Sequence, residues 1–188
     1  MVGKPAVFVD RDGTICFDKH YLADPAGLEF IPTVVDGLRK LTKAGVPIII
    51  VTNQSGVARG YFTEGTLVKI HKELVKILEK QGVSILDIFY CPHMPDAGCD
   101  CRKPAPGLLI RASKKHGIEL SKSYVIGDRM MDVELAHKVN AKGVLVPEPG
   151  DQCGTDKEIT ASKEKPDFMA GNFSEAADWA LSRLKQKV

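Results

Sequence analysis

The sequence predicts an α/β protein in which a mostly parallel sheet lies between helical layers, and three observations carry that expectation. Short, continuous apolar runs recur at 6–9, 46–51, 83–90, 123–126 and 143–146, as in strands buried on both faces. The segments between them place apolar residues at helical spacing. Several runs end abruptly in carboxylates, hydroxyls or cations, at the strand edge where open α/β sheets bind ligands. A chain of 188 residues suits one such domain, spanning 1–188, and is too short for two of ordinary size.

The first run, Ala6-Val7-Phe8-Val9, stops at Asp10-Arg11-Asp12-Gly13-Thr14. In extended backbone Asp10 and Asp12 point the same way. Two close carboxylates repel unless a cation or a shared proton compensates, so a bound metal is the first expectation. A capped turn is the plainer alternative, because Asp and Gly are common turn residues. Residues 15–30 show no period and read as a loop over the strand end, which brings Asp18, Lys19, His20 and Tyr21 near the two acids or leaves them solvated. A helix follows, with Val34, Val35, Leu38 and Leu41 apolar and Gly45 as its cap. It leads into the second strand and then into Thr52-Asn53-Gln54-Ser55-Gly56. A hydroxyl and free backbone amides there suit phosphate oxygens, with Arg59 close enough to add charge.

Thr63 is placed to cap a helix carrying Leu67, Ile70, Leu74, Ile77 and Leu78 as far as Gly82, with His71 expected at its surface or rim. After the third strand, Cys91-x-His93-x5-Cys99-x-Cys101 offers three thiolates and an imidazole. That donor set suits Zn(II) in a closed, tetrahedral, structural site; an ordinary loop of reduced cysteines is the alternative. Arg102 and Lys103 follow directly, on the element a metal would stiffen, and a helix then runs from Leu108 to His116. The fourth strand opens into Gly127-Asp128, whose carboxylate completes an oxygen set for Mg(II). Asp132 either caps the next helix, 133–139, or holds Asp128. A fifth strand, an aperiodic surface excursion over 147–166 with Cys153 as a free thiol, and a closing helix over 174–185 complete the chain.

Composition narrows the partners. A net charge of +2 with dispersed lysines gives no nucleic-acid stripe, and no apolar run approaches the ~20 residues of a membrane span. A cytoplasmic location is expected. The odd cysteine count, clustered rather than paired, favours metal over disulfides.

The strand ends assemble a phosphoryl-transfer inventory. Asp10 is the candidate nucleophile, Asp12 the candidate acid and base, and Thr52 the phosphoryl-oxygen ligand, while Lys103 and Mg(II) neutralise charge. In order, Asp10-Arg11-Asp12-Gly13-Thr14, Thr52-Asn53, Lys103 and Gly127-Asp128 resemble the four motifs of the haloacid dehalogenase superfamily of phosphatases. The resemblance implies a Rossmann-like three-layer sandwich. The short segments after the first two motifs imply no separate cap domain, so that loops select a small sugar phosphate, and a monomer is expected.

The zinc loop and Thr52–Gly56 are similar to the branch acting on heptose bisphosphate and histidinol phosphate. Residues 52–60, 101–107, and 18–21 with 28–32 resemble the heptose phosphatases more closely. This implies hydrolysis of the 7-phosphate of D-glycero-D-manno-heptose 1,7-bisphosphate, on the route to ADP- or GDP-heptose and lipopolysaccharide. It further implies that Arg102 recognises the distal phosphate, that Asp18, Lys19, His20, Tyr21, Asn53, Gln54, Ser55 and Arg59 contact substrate, and that Asp12 binds Mg(II) through its backbone carbonyl beside Asp10 and Asp128. Lys19-His20 departs from the His-Gly of the heptose enzymes, and the spacing between His93 and Cys99 is shared with the histidinol-phosphate branch. Histidinol phosphate is therefore the alternative substrate, and a zinc-stabilised binding module without chemistry is the non-enzyme alternative.

Overall fold

A computed structural model describes residues 3–185, apart from the side chains of Cys153 and Lys185, so the free thiol expected at Cys153 lies outside the described residues. Strands β1 (Val7–Val9), β2 (Ile48–Asn53), β3 (Asp87–Cys91), β4 (Tyr124–Gly127), β5 (Lys142–Leu145) and β6 (Phe168–Met169) form one sheet in the order β3-β2-β1-β4-β5-β6. Every pairing is parallel.

The helices are α1 (Val34–Lys43), α2 (Glu64–Lys80), α3 (Gly107–His116), α4 (Met130–His137), α5 (Gln152–Ala161) and α6 (Phe173–Lys185). Side-chain alternation along the strands divides the core between the two faces of the sheet. Val7, Val9, Ile48 and Ile50 pack with Leu38 and Leu41 of α1, Leu74 and Leu78 of α2, and Phe173 and Ala177 of α6. Phe8, Ile49, Val51 and Val125 pack on the other face with Leu108 and Leu109 of α3 and Leu135 of α4. This is the expected three-layer sandwich. Ile48, Ile49, Ile50 and Val51 are each 0% exposed, and burial of such a side chain stabilises the fold by about 1.5–3 kcal/mol. The central strands therefore hold the edge at their carboxyl ends on a rigid base.

Strand order reverses at β1, since the chain passes to β2 on one side and returns to β4 on the other. The crevice between the carboxyl ends of β1 and β4 is thus the topological switch point, where such sheets bind ligands. Two elements differ from the sequence expectation. Residues 147–166 contain α5, and β6 extends the sheet beyond it. Helix α5 is rich in Gly, Thr and Asp and has no continuous apolar stripe; its Ile159 packs beside the small cluster of Met130, Val133 and Leu145.

Candidate active site

Asp10 directly follows β1, and its backbone N–H donates to Ile126 O at 3.0 Å, tying it to β4. Its carboxylate is held twice. Oδ1 accepts from the Arg11 backbone N–H at 2.7 Å, and Oδ2 lies 2.7 Å from Lys103 Nζ. Asp128 stands across the crevice and accepts from Thr14 Oγ1 at 2.9 Å. Gly13 has φ +76°, and a Cβ placed on it would come within 2.3 Å of Asp128 Oδ2, so only glycine permits this approach.

Oxygens of Asp10, Asp128 and Asp132 lie within 4.8 Å of one another, and all three residues are buried. Burial pushes the Asp10 carboxyl up to about 7 against the opposing pull of Lys103, with the negative charge of Asp132 adding to the rise. Burial, then repulsion from Asp10 and Asp132, pushes Asp128 up to about 8. Burial works against the Lys103 charge, but Asp10 and Asp132 outweigh it and hold its pKa above the ordinary lysine value. Three carboxyl groups thus face one ammonium, and Asp132 Oδ2 is buried with no hydrogen-bond partner among the described residues. A hard divalent cation with oxygen ligands fits this excess of negative charge.

The role of Asp132 differs from both sequence expectations. It forms no cap on α4 and no hydrogen bond to Asp128; instead Oδ1 accepts from Lys103 Nζ at 2.7 Å. The third carboxylate beside Asp10 and Asp128 is that of Asp132. The Asp12 side chain is turned toward Arg11 and Gln54. Its Oδ1 accepts from Arg11 Nε at 2.9 Å, and its Oδ2 from Arg11 Nη2 at 2.8 Å and Gln54 Nε2 at 2.7 Å.

Thr52 closes the crevice at the end of β2 and is 1% exposed. Its Oγ1 accepts from Gln54 Nε2 at 2.8 Å, which leaves the hydroxyl proton free for a ligand oxygen. Gln54 therefore spends both amide protons inside the site. Asn53 does the same with its whole amide: Oδ1 accepts from Lys103 N at 3.0 Å, and Nδ2 donates to Lys103 O at 3.2 Å. Both residues, read in sequence as substrate contacts, here hydrogen-bond to Lys103, Asp12 and Thr52. Arg11 and His71 were given no part by the sequence, and both are buried; Arg11 Nη1 lies 3.2 Å from His71 Nε2.

The loop contacts lie further out. Lys19 pairs with Glu29 at 2.7 Å, the His20 backbone is left-handed at φ +61° and its N–H donates to Asp18 Oδ1, and Ser55 is half-buried with no side-chain hydrogen bond among the described residues. Tyr21 meets Tyr61 edge to face at 4.6 Å between ring centroids, with the Arg59 guanidinium 5.9 Å from the Tyr21 ring. Arg102 is half-buried and donates to His93 O at 3.4 Å.

The second cluster is at the end of β3. Cys91 Sγ lies 3.5 Å from His93 Nδ1 and 3.6 Å from Cys99 Sγ; Cys101 Sγ lies 3.2 Å from His93 Nδ1 and 3.5 Å from Cys99 Sγ. A tetrahedron with metal–sulfur bonds of ~2.3 Å has edges of ~3.8 Å, close to these separations. Burial pushes the Cys91 thiol up to about 12, so a thiolate there calls for a cation. The donor set and its geometry fit a four-coordinate metal with no open position.

The HAD-hydrolase-like family matches residues 100–176. The chain is 37% identical to the D-glycero-beta-D-manno-heptose-1,7-bisphosphate 7-phosphatase of Salmonella typhi over 187 residues, 96% of this chain and 91% of that protein. Its identity to the phosphatase of the same name from Escherichia coli K12 is also 37%, covering 96% and 90% of the two chains. Among solved structures, the D,D-heptose 1,7-bisphosphate phosphatase of B. bronchiseptica, complexed with magnesium and phosphate, superposes with a TM-score of 0.84 at 27% identity, covering 95% of this chain and 98% of that one.

Proposed function

Because the chain belongs to the haloacid-dehalogenase-like phosphatases, in the group that holds the heptose-1,7-bisphosphate 7-phosphatases, we propose that it hydrolyses the 7-phosphate of D-glycero-D-manno-heptose 1,7-bisphosphate. The observation that carries this reading is the placement of Asp10 at the switch point, held by Lys103 and facing Asp128.

The Asp10 carboxylate attacks phosphorus while the ester oxygen departs, and Asp12 delivers a proton to that oxygen. Asp12, now ionised, takes a proton from water as the water attacks the aspartyl-phosphate. Phosphate leaves, and Asp10 and Asp12 return to their starting states. Thr52 donates its hydroxyl proton to a phosphoryl oxygen, and Lys103 offsets the repulsion between phosphate and the Asp10 nucleophile. Asp10, Asp128 and the Asp12 backbone carbonyl would hold Mg(II), which supplies positive charge to the phosphoryl oxygens.

Arg102, the half-buried Ser55 and the exposed rim of Asp18, Lys19, His20, Tyr21 and Arg59 select the sugar, without a cap domain. Cys91, His93, Cys99 and Cys101 hold Zn(II) and fix the loop that carries Arg102 and Lys103. A cytoplasmic monomer, residues 1–188 forming one domain, belongs to the same reading. Asp10→Asn abolishes turnover if the mechanism is right, and undiminished activity overturns it. Side-by-side assays of the heptose bisphosphate anomers and histidinol phosphate test the substrate, and preference for histidinol phosphate overturns the sugar assignment.

A further inference from the structure

Arg11 is 1% exposed, the largest fully buried side chain among the described residues, and the mechanism above gives it no part. Enclosing a guanidinium costs several kcal/mol unless it is paired and hydrogen-bonded. Here the pairing is with one group. Arg11 grips Asp12 with a two-pronged contact, Nε to Oδ1 at 2.9 Å and Nη2 to Oδ2 at 2.8 Å, the geometry that fixes a carboxylate in plane as well as in place.

The third prong is braced from behind. Arg11 Nη1 lies 3.2 Å from His71 Nε2, and a guanidinium can only donate, so Nε2 accepts and the imidazole carries its proton on Nδ1. Burial and the adjacent Arg11 charge push His71 down to about 3, so the ring is a neutral acceptor at ordinary pH. The His71 ring in turn packs against Tyr90, 5.6 Å between centroids, on the strand that leads into the zinc loop.

Asp12 is two residues from Asp10 and close enough to the buried cluster to raise the Asp10 pKa by repulsion, yet its side chain remains 24% exposed. Gln54 Nε2 also donates to Asp12 Oδ2 at 2.7 Å, but Arg11 engages both carboxylate oxygens and so fixes the plane of the group. We infer that Arg11, braced by His71, is a positioning residue that holds the Asp12 carboxylate apart from Asp10, Asp128 and Asp132 and in reach of the departing alcohol oxygen. This rests on the acid–base role proposed for Asp12.

The test separates protonation of the leaving group from all other steps. A sugar alkoxide needs a proton to leave, whereas p-nitrophenolate leaves without one, so loss of general-acid positioning lowers kcat/KM for the sugar phosphate selectively. The ratio of kcat/KM for heptose bisphosphate to that for p-nitrophenyl phosphate, measured on one preparation, is independent of how much of a variant is folded. Arg11→Met lowers this ratio roughly tenfold to a hundredfold, part of the ~10²–10⁴ that general acid–base catalysis supplies. His71→Leu lowers it in the same direction, while His71→Gln, whose carbonyl oxygen accepts the same N–H, restores it. Asp12→Asn is the reference. If Asp12→Asn itself leaves the ratio unchanged, the acid–base assignment falls and this inference with it. If Asp12→Asn lowers the ratio while Arg11→Met and His71→Leu depress both substrates equally, Arg11 is structural and the inference alone is overturned.

Discussion

Lys103 Nζ donates to Asp132 Oδ1 at 2.7 Å across a pair whose side chains are 1% and 0% exposed. The same ammonium lies 2.7 Å from Asp10 Oδ2, so Asp132 sets where the charge stands relative to the proposed nucleophile. Asp132→Ala removes one of two anchors from a buried cation. Lys103 keeps Asp10 as its counter-charge, so the cost is that of one charge-assisted hydrogen bond, about 1.5–3 kcal/mol, and urea unfolding should show a loss of that size. Turnover should fall with it, and a variant with wild-type stability would refute the buried-pair account.

Gly127 tests the same relationship without changing any charge. A Cβ at this position would come within 2.2 Å of Asp132 Cγ. Gly127→Ala therefore displaces Asp132 from Lys103, with an overpacking cost of about 1–3 kcal/mol. Gly13→Ala acts instead on Asp128, through both the 2.3 Å clash and a left-handed φ of +76°. Its expected signature is a higher magnesium concentration for half-maximal activity, which a magnesium titration measures; an unchanged requirement would count against Asp128 as a ligand.

The thiol–imidazole cluster leads to a metal-removal experiment. Metal analysis of protein purified without chelator should find about one zinc per chain. Stripping it should free the loop from Cys91 to Cys101 and loosen Lys103, which Asn53 clamps by both backbone groups. Hydrogen exchange in residues 91–107 should rise sharply and activity should fall. Unchanged exchange after complete zinc removal would refute the structural role.

The strand ends were readable because an apolar run that stops at Asp10 or Asp128 leaves its mark in adjacent residues. Partners set by tertiary packing leave none. Asp132 reaches Lys103 because Gly127 has no side chain to block it, and no local pattern announces that pairing. Arg11 sits between two conspicuous acids and looked incidental, yet it buries itself to hold one of them. His71, placed at a rim by helical spacing, is 7% exposed because Arg11 comes to meet it from the turn after β1. Asn53 and Gln54 have the chemistry of ligand contacts, and only their geometry shows that their amide N–H groups are already engaged. Helix α5 and strand β6 were missed for a different reason: one has no continuous apolar stripe, and the other is two residues long.

His137, at the end of α4, provides a pH test away from both the carboxylate and the thiol–imidazole clusters. Its Nδ1 lies 2.6 Å from Glu164 Oε2 and its Nε2 lies 3.0 Å from Asp167 Oδ2. Only the imidazolium can donate from both nitrogens at once. Burial opposes that charge, but the bonds to Glu164 and Asp167 outweigh it and raise the His137 pKa above its ordinary 6.5. A raised folded-state pKa means that the native protein binds the proton more tightly than the unfolded chain does. The stabilisation is therefore complete below about 6.5 and is lost as pH climbs through the higher native value. Lys142, 2.6 Å from Asp167 Oδ1, also pairs with that carboxylate, so His137→Gln does not leave Asp167 without a partner. Urea midpoints for wild type and His137→Gln, compared between about pH 6 and about pH 9, should show the wild-type advantage shrinking as pH rises. Parallel curves across that range would mean that the imidazolium contributes nothing to holding residues 164–167 against α4.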